Sequence, residues 1–98
     1  MLISEIKGWQ WLITWDNPLP ANSSTMLNAL QALGRITKVQ TKTTVLLAPL
    51  SGVKARAIRA AIRLNLNPST GNSAYVNLRS GRAWHLSTVT NFQWEEIT

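Results

Sequence analysis

The sequence predicts an α+β fold: one antiparallel sheet with two helices packed on a single face. Three observations support this. Apolar and polar residues alternate at period two near residues 9–16, and stretches rich in β-branched and aromatic residues recur near 35–48 and 74–86. Two segments with helical spacing lie between them, at about 23–33 and 51–65. Clusters of Pro, Gly, Asn and Ser separate these stretches. A chain of 98 residues holds one domain and one modest core, so 1–98 reads as a single unit.

Residues 9–16, WQWLITWD, put Trp9, Trp11, Ile13 and Trp15 on one side and Gln10, Leu12, Thr14 and Asp16 on the other. That alternation is the signature of a half-buried strand, and its Trp residues read as large apolar surfaces of a small sheet. Pro18 and Pro20 stop it, because Pro lacks the amide a ladder needs. Residues 1–8 read as an arm or an added edge strand. Asn22, Ser23 and Ser24 supply N-cap candidates for the first helix. Met26, Leu27, Leu30 and Leu33 follow at helical spacing, and Gly34 is a natural stop. Residues 35–40 and 43–48 are rich in Thr, Val and Ile and read as two strands, with Thr41 and Lys42 between them either a short hairpin turn or the bend of one strand.

The second helix begins at Ser51 and Gly52 and runs to about Asn65. On a helical wheel Ala57, Ile58, Ala61, Ile62 and Leu64 fall on one side. Arg56, Arg59 and Arg63 fall within about 60° of one another on the opposite side. Residues 67–72 are a dense turn cluster. Residues 74–79 then form a strand, Ser80 and Gly81 a two-residue hairpin turn, and residues 82–86 the returning strand. Residues 91–98, with Phe92 and Trp94, read as a last short strand. The order is that of a ferredoxin-like βαββαβ sandwich with an extra C-terminal hairpin strand. Its second sheet face is left to solvent, a partner or nucleic acid.

Charge is the strongest functional signal. The formal net charge is +6, and the four acids are Glu5, Asp16, Glu95 and Glu96. No carboxylate lies between Asp16 and Glu95, while Arg35, Lys38, Lys42, Lys54, Arg56, Arg59, Arg63, Arg79 and Arg82 do. So one-sided a body attracts a polyanion, and nucleic acid is the default partner, with an acidic protein next. The absence of Cys excludes disulfides, thiol catalysis and Cys-ligated zinc, and His85 alone cannot build a multi-His metal site. No apolar run approaches the roughly 20 residues of a membrane helix, and no secretory leader is read at the start, so the expected setting is cytoplasmic.

Four constellations can carry chemistry. Across a two-residue turn Arg79 would face Arg82, Asn77 would face Trp84 and Tyr75 would face Leu86. With Val76 and Leu78 turned to the core, Tyr75, Asn77, Arg79, Arg82 and Trp84 would form one exposed patch. Such a patch stacks bases and neutralises phosphates, or meets a dimer mate. A one-residue slip would bury it. The ridge of Arg56, Arg59 and Arg63 offers planar forks suited to phosphate or carboxylate, and its helix carries no acid. Asp16 ends the first strand beside a Pro-bounded loop, where a carboxylate either forms an ordinary turn or holds Mg²⁺. His85 shares a face with Val76 and reads as a packed core or rim residue.

The layout also resembles a known family. A first strand ending in Asp (LITWD), a helix, a strand pair rich in Gln and Thr (ITKVQTKTTVLL), a second helix and a strand carrying AYVNLRSG look like the small ferredoxin-like proteins of CRISPR spacer acquisition and the related VapD toxins. The resemblance spans roughly residues 11–86 and implies a homodimer. Only Asp16 matches a functional position, that of a metal-dependent nuclease carboxylate, and Asn17-Pro18-Leu19-Pro20 replaces the polar helix entry such proteins carry. Small phage and mobile-element proteins, including inhibitors of bacterial defence, share the layout.

The expected function is therefore a basic module that contacts nucleic acid through an exposed sheet face and the arginine ridge. No cofactor is expected. The alternatives are an inhibitor or adaptor gripping an acidic protein, and a Mg²⁺-dependent endonuclease with Asp16 paired across a dimer. Five Trp in a short chain with one uncovered sheet face point to a homodimer.

Overall fold

The computed structural model describes residues 9–18, 24–39 and 43–97. Its elements are β1 (Trp11–Asp16), α1 (Ser24–Gln31), β2 (Gly34–Lys38), β3 (Thr44–Pro49), α2 (Ala55–Leu64), β4 (Asn72–Asn77), β5 (Ala83–Leu86), a 3₁₀ turn (Thr88–Thr90) and β6 (Glu95–Ile97). The six strands form one antiparallel sheet in the order β2-β3-β1-β4-β5-β6. The architecture is α+β, as the sequence predicts. The arm at 1–8, the caps at Asn22 and Ser23 and the turn at Thr41 and Lys42 lie outside the described residues.

Both helices lie on one face. Met26 and Leu30 of α1 and Ile58 and Ile62 of α2 are buried against Trp11, Ile13 and Trp15 of β1, Val45 and Leu47 of β3, Tyr75 of β4 and Leu86 of β5. The alternation in β1 therefore predicts its buried side correctly. Three of the five Trp are in or against this core through their strands, and Trp94 joins them from the tail. The aromatic argument for a dimer loses its basis, because these rings fill the interior rather than the far face of the sheet. That far face carries a row from Leu46 through Leu12, Val76 and Ala83 to Ile97. Beside it runs a second row of Thr44, Thr14, Ala74, His85 and Glu95.

Two expectations about local structure need correction. Helix α2 starts at Ala55, not Ser51. Gly52, with φ 88°, makes a turn closed by the Val53 amide donating to the Leu50 carbonyl, a positive φ that suits Gly and interrupts the helix. Leu64, assigned to the apolar side, is 76% exposed at the end of the helix. The other correction concerns the β4–β5 hairpin. Its loop spans residues 78–81, not Ser80 and Gly81 alone. The Asn77 amide donates to the Arg82 carbonyl, and the Gly81 amide donates back to the Asn77 carbonyl. Asn77 Oδ1 accepts the amides of Arg79 and Ser80, so its side chain shapes the turn. The longer loop shifts the pairing, and Tyr75 sits opposite Trp84 rather than Leu86.

Candidate nucleic-acid interface

The exposed patch expected on the β4–β5 hairpin does not form, because the strands face the other way. β4 pairs with β1 so that Tyr75 lies beside Ile13 and Ser73 beside Trp15. Directly opposed residues share a sheet face. Tyr75 thus joins the helix-covered side and is 1% exposed, while Val76 turns away from the helices. A large ring gains more from burial than Val does. Tyr75 packs on Trp11 at 4.9 Å, stacks on Trp84 at 5.0 Å and meets Trp94 edge-on at 4.9 Å. Burial pushes its phenol above the usual tyrosine range, opposed by the nearby positive charges of Arg59 and Arg82. Arg59 comes close to the phenol without reaching hydrogen-bond geometry, and the Tyr75 hydroxyl has no partner.

The remaining patch residues divide. Trp84 is half-buried against the core. Its ring stacks on Tyr75, and the Arg82 guanidinium lies over it 5.1 Å from the centroid. Arg82 Nε donates to Glu96 Oε1 at 2.7 Å, and its second nitrogen donates to Oε2 at 3.0 Å. That hydrogen-bonded pair holds the Glu96 carboxyl below the ordinary carboxylate range. The sequence places Glu96 fourteen positions from Arg82, and only the β5–β6 pairing joins them. Arg79 is exposed on the hairpin loop.

The arginine ridge also divides. Arg56 is exposed. Arg63 Nε donates to the Phe92 carbonyl at 3.0 Å, and its guanidinium lies 5.2 Å from the Phe92 ring centroid. Phe92 and Asn91 both have positive φ, near 55°, in the turn that brings the tail back over α2. Arg59 is half-buried, and its carbonyl accepts the Trp94 indole at 3.2 Å.

What the structure does assemble is a groove of about 660 Å³ between the start of α2 and the β4–β5 loop. Lys54, Arg59 and Arg82 line it with Gln10, Trp11, Asn77, Ser80 and Trp84, and no carboxylate is among its walls. Sequence reasoning missed Lys54, Gln10 and Ser80. Lys54 had a signal, as the cation directly before an acid-free helix. Gln10 and Ser80 had none, since their meeting depends on the β1–β4 register.

Asp16 and His85 meet at the opposite end of the same strands, in a cleft of about 280 Å³ with Thr14, Asn72, Ser73 and Ser87. Most of its polar side chains are already engaged, while the buried indole nitrogen of Trp15 on its wall has no partner. Asp16 Oδ1 accepts the Asn17 amide at 2.9 Å, where Asn17 takes a left-handed φ of 52°. Ser73 Oγ donates to the Thr14 carbonyl at 2.8 Å, and Ser87 Oγ accepts the Val89 amide. His85 Nε2 lies 3.9 Å from Glu95 Oε2. His85 does share a face with Val76, but that face turns away from the helices, so His85 is a partly exposed surface residue and not a core one. Among the described residues no three His, Asp or Glu converge as a metal site. No helix among them is long and apolar enough to cross a membrane. No family model, curated protein or solved structure matches the chain.

Proposed function

We propose that this chain is a basic binding module that grips nucleic acid by its phosphates. The observation that carries this reading is the state of its cations. Among the described lysines and arginines only Arg82 pairs with a carboxylate. Lys54, Arg56 and Arg59 crowd the start of a helix with no acid in its first turn. Positive charge left unneutralised in one region repels itself, and a polyanion relieves that repulsion. The expected stacking pair does not supply base stacking, because Tyr75 is interior and Trp84 is stacked on it with the Arg82 guanidinium also over its ring. Binding by these residues is therefore to the backbone and is independent of sequence.

In this reading β1, α1, β2, β3, α2 and β4 form a ferredoxin-like unit, extended by β5 and β6. A second copy docks on the far sheet face over Leu12, Val76, Ala83 and Ile97 to give a twofold dimer. A solution mass near 10.9 kDa by light scattering removes that dimer without touching the binding claim.

The test is a salt titration of binding to mixed-sequence DNA and RNA. Affinity should fall with a log–log slope of about −0.9 per neutralised phosphate on duplex DNA. Failure to bind either polymer at about 50 mM salt, where phosphate contacts are strong, overturns the reading in favour of an acidic protein partner.

A further inference from the structure

We propose that Trp9 and Arg35 form a stacking platform for an unpaired base, so that the chain prefers single-stranded nucleic acid to duplex. The proposal rests on the nucleic-acid reading and deepens it, adding a contact to bases to the grip on phosphates. Three observations carry it. The first is the place of Trp9 relative to the core. Trp11 and Trp15 are buried in it, and Trp84 and Trp94 pack against it. Trp9 does neither and is half-buried just ahead of β1, although the alternation in 9–16 puts it on the side of Trp11. The second is a difference among three contacts between an arginine and a ring. Arg63 over Phe92 is also bonded to the Phe92 carbonyl, and Arg82 over Trp84 is also bonded to Glu96. Both of those rings pack against the core. Arg35 is exposed and lies 4.8 Å from the Trp9 ring centroid, with no hydrogen bond or ion pair among the described residues. This pair alone of the three is uncommitted on both sides.

The third observation is position. The Gln10 amide donates to the Leu47 carbonyl, and the Gln10 carbonyl accepts the Leu78 amide. Trp9 therefore sits at the end of the sheet where the β4–β5 loop lies, and Arg35 comes to the same end by pairing with Ala48. Arg79 is on that loop, and Lys54 and Arg82 line the groove beside Gln10. A strand whose phosphates are held there runs past the ring. An indole stacks on the π-face of any base, and a guanidinium adds a second plane with donors for the neighbouring phosphate. Such stacking tolerates every base, so binding stays independent of sequence. In a duplex each base is already stacked and paired, and it reaches a protein ring only at the cost of leaving the stack. The platform therefore favours single strands.

The experiment measures binding of the full chain, by fluorescence anisotropy at several salt concentrations, to three labelled probes of equal length. These are a thymidine oligonucleotide, the same phosphodiester strand without bases, and a DNA duplex. Wild type should bind the thymidine strand about tenfold more tightly than the abasic strand. Trp9→Ala should abolish that difference while leaving abasic and duplex binding within about twofold and their salt slopes unchanged, since no phosphate contact is lost. Trp9→Phe should keep part of the difference, because it keeps a ring. The unfolding midpoint of Trp9→Ala in urea should stay close to that of wild type, as the ring lies outside the core. Equal binding of the thymidine and abasic strands by wild type overturns the platform without recourse to any variant. Losses in Trp9→Ala that are equal on all three probes also overturn it and give Trp9 a role in the fold. Salt-dependent duplex binding with no gain from bases removes the platform and leaves the nucleic-acid reading. Binding to none of the probes removes both.

Discussion

The two depressions at opposite ends of β1, β4 and β5 are made by the same strands and differ in what closes them. The cleft at Asp16 is ringed by polar side chains, and Asp16, Asn72, Ser73 and Ser87 among them bond to backbone groups. Asp16 takes the next amide, Ser73 reaches the Thr14 carbonyl, and Ser87 caps the 3₁₀ turn. The groove at Lys54 is just as polar, but three of its side chains are cations, and of these Lys54 and Arg59 pair with no carboxylate. Polar groups already committed to holding a fold contribute little to a ligand, while cations without a carboxylate partner gain from an anion. The comparison teaches that residue type alone ranks these two places wrongly. Asp, His and Ser suggest chemistry at the first, and their wiring points to structure.

The largest test of this contrast is on stability. Trp84→Ala, which removes a wall of the groove and a stacking partner of Tyr75, should cost about 3 kcal/mol in urea unfolding, the low end for an aromatic truncation because Trp84 is only partly buried. His85→Ala, at the other end, should change stability by less than about 0.5 kcal/mol. Equal losses would mean that both ends are structural in the same degree.

A smaller effect separates the members of the ridge. Arg63→Gln loses the bond to the Phe92 carbonyl and should destabilise the fold by about 1 kcal/mol, while Arg56→Gln should be silent within about 0.5 kcal/mol. Both should make the salt dependence of nucleic-acid binding shallower, by up to about 0.9 in slope for each phosphate contact removed. A silent Arg63→Gln would mean that the tail does not depend on α2 in this way.

The pH dependence has a defined sign. The Tyr75 phenol is raised in the folded chain by burial, so the folded state resists losing that proton. Its stabilising effect is whole below the ordinary value of 10.0 and is lost as pH rises through the folded value. Tyr75 is the one tyrosine of the chain, so tyrosinate absorbance reports it cleanly. Tyr75→Phe should remove this alkaline loss while keeping the ring. An ordinary tyrosine titration would show that the phenol is open to water. The Glu96 carboxyl, lowered by Arg82, works in the opposite range, with its small contribution present at neutral pH and lost as pH falls through its folded value.

The smallest expected effect is at Asp16. Asp16→Asn keeps an oxygen for the Asn17 amide and should change stability by less than about 0.5 kcal/mol. Wild type should show no Mg²⁺- or Mn²⁺-dependent cleavage of DNA or RNA. Cleavage by wild type that Asp16→Asn abolishes would reverse the ranking of the two ends and make this chain a nuclease.

The fold class was legible because local rules agree with it. Alternation in 11–16, helical spacing in 26–33 and 58–62, and the positions of Gly34, Pro49 and Gly52 each constrain the backbone within a few residues. The sequence by itself determined the α+β class, the approximate element order, the buried side of β1 and the large excess of positive charge. Only the tertiary structure decided which side of β4 is inside. Val76 and Tyr75 are both plausible core residues, and a strand's face depends on the neighbour it pairs with, not on its own composition. Tertiary structure also decided the fate of the cations. Arg82 meets Glu96 and Arg63 meets Phe92 because the tail folds back across the sheet and α2, while Trp11, Arg82 and the pair Lys54 and Arg59 are gathered from three separated segments. Period and propensity describe contacts within one element, and these contacts lie between elements.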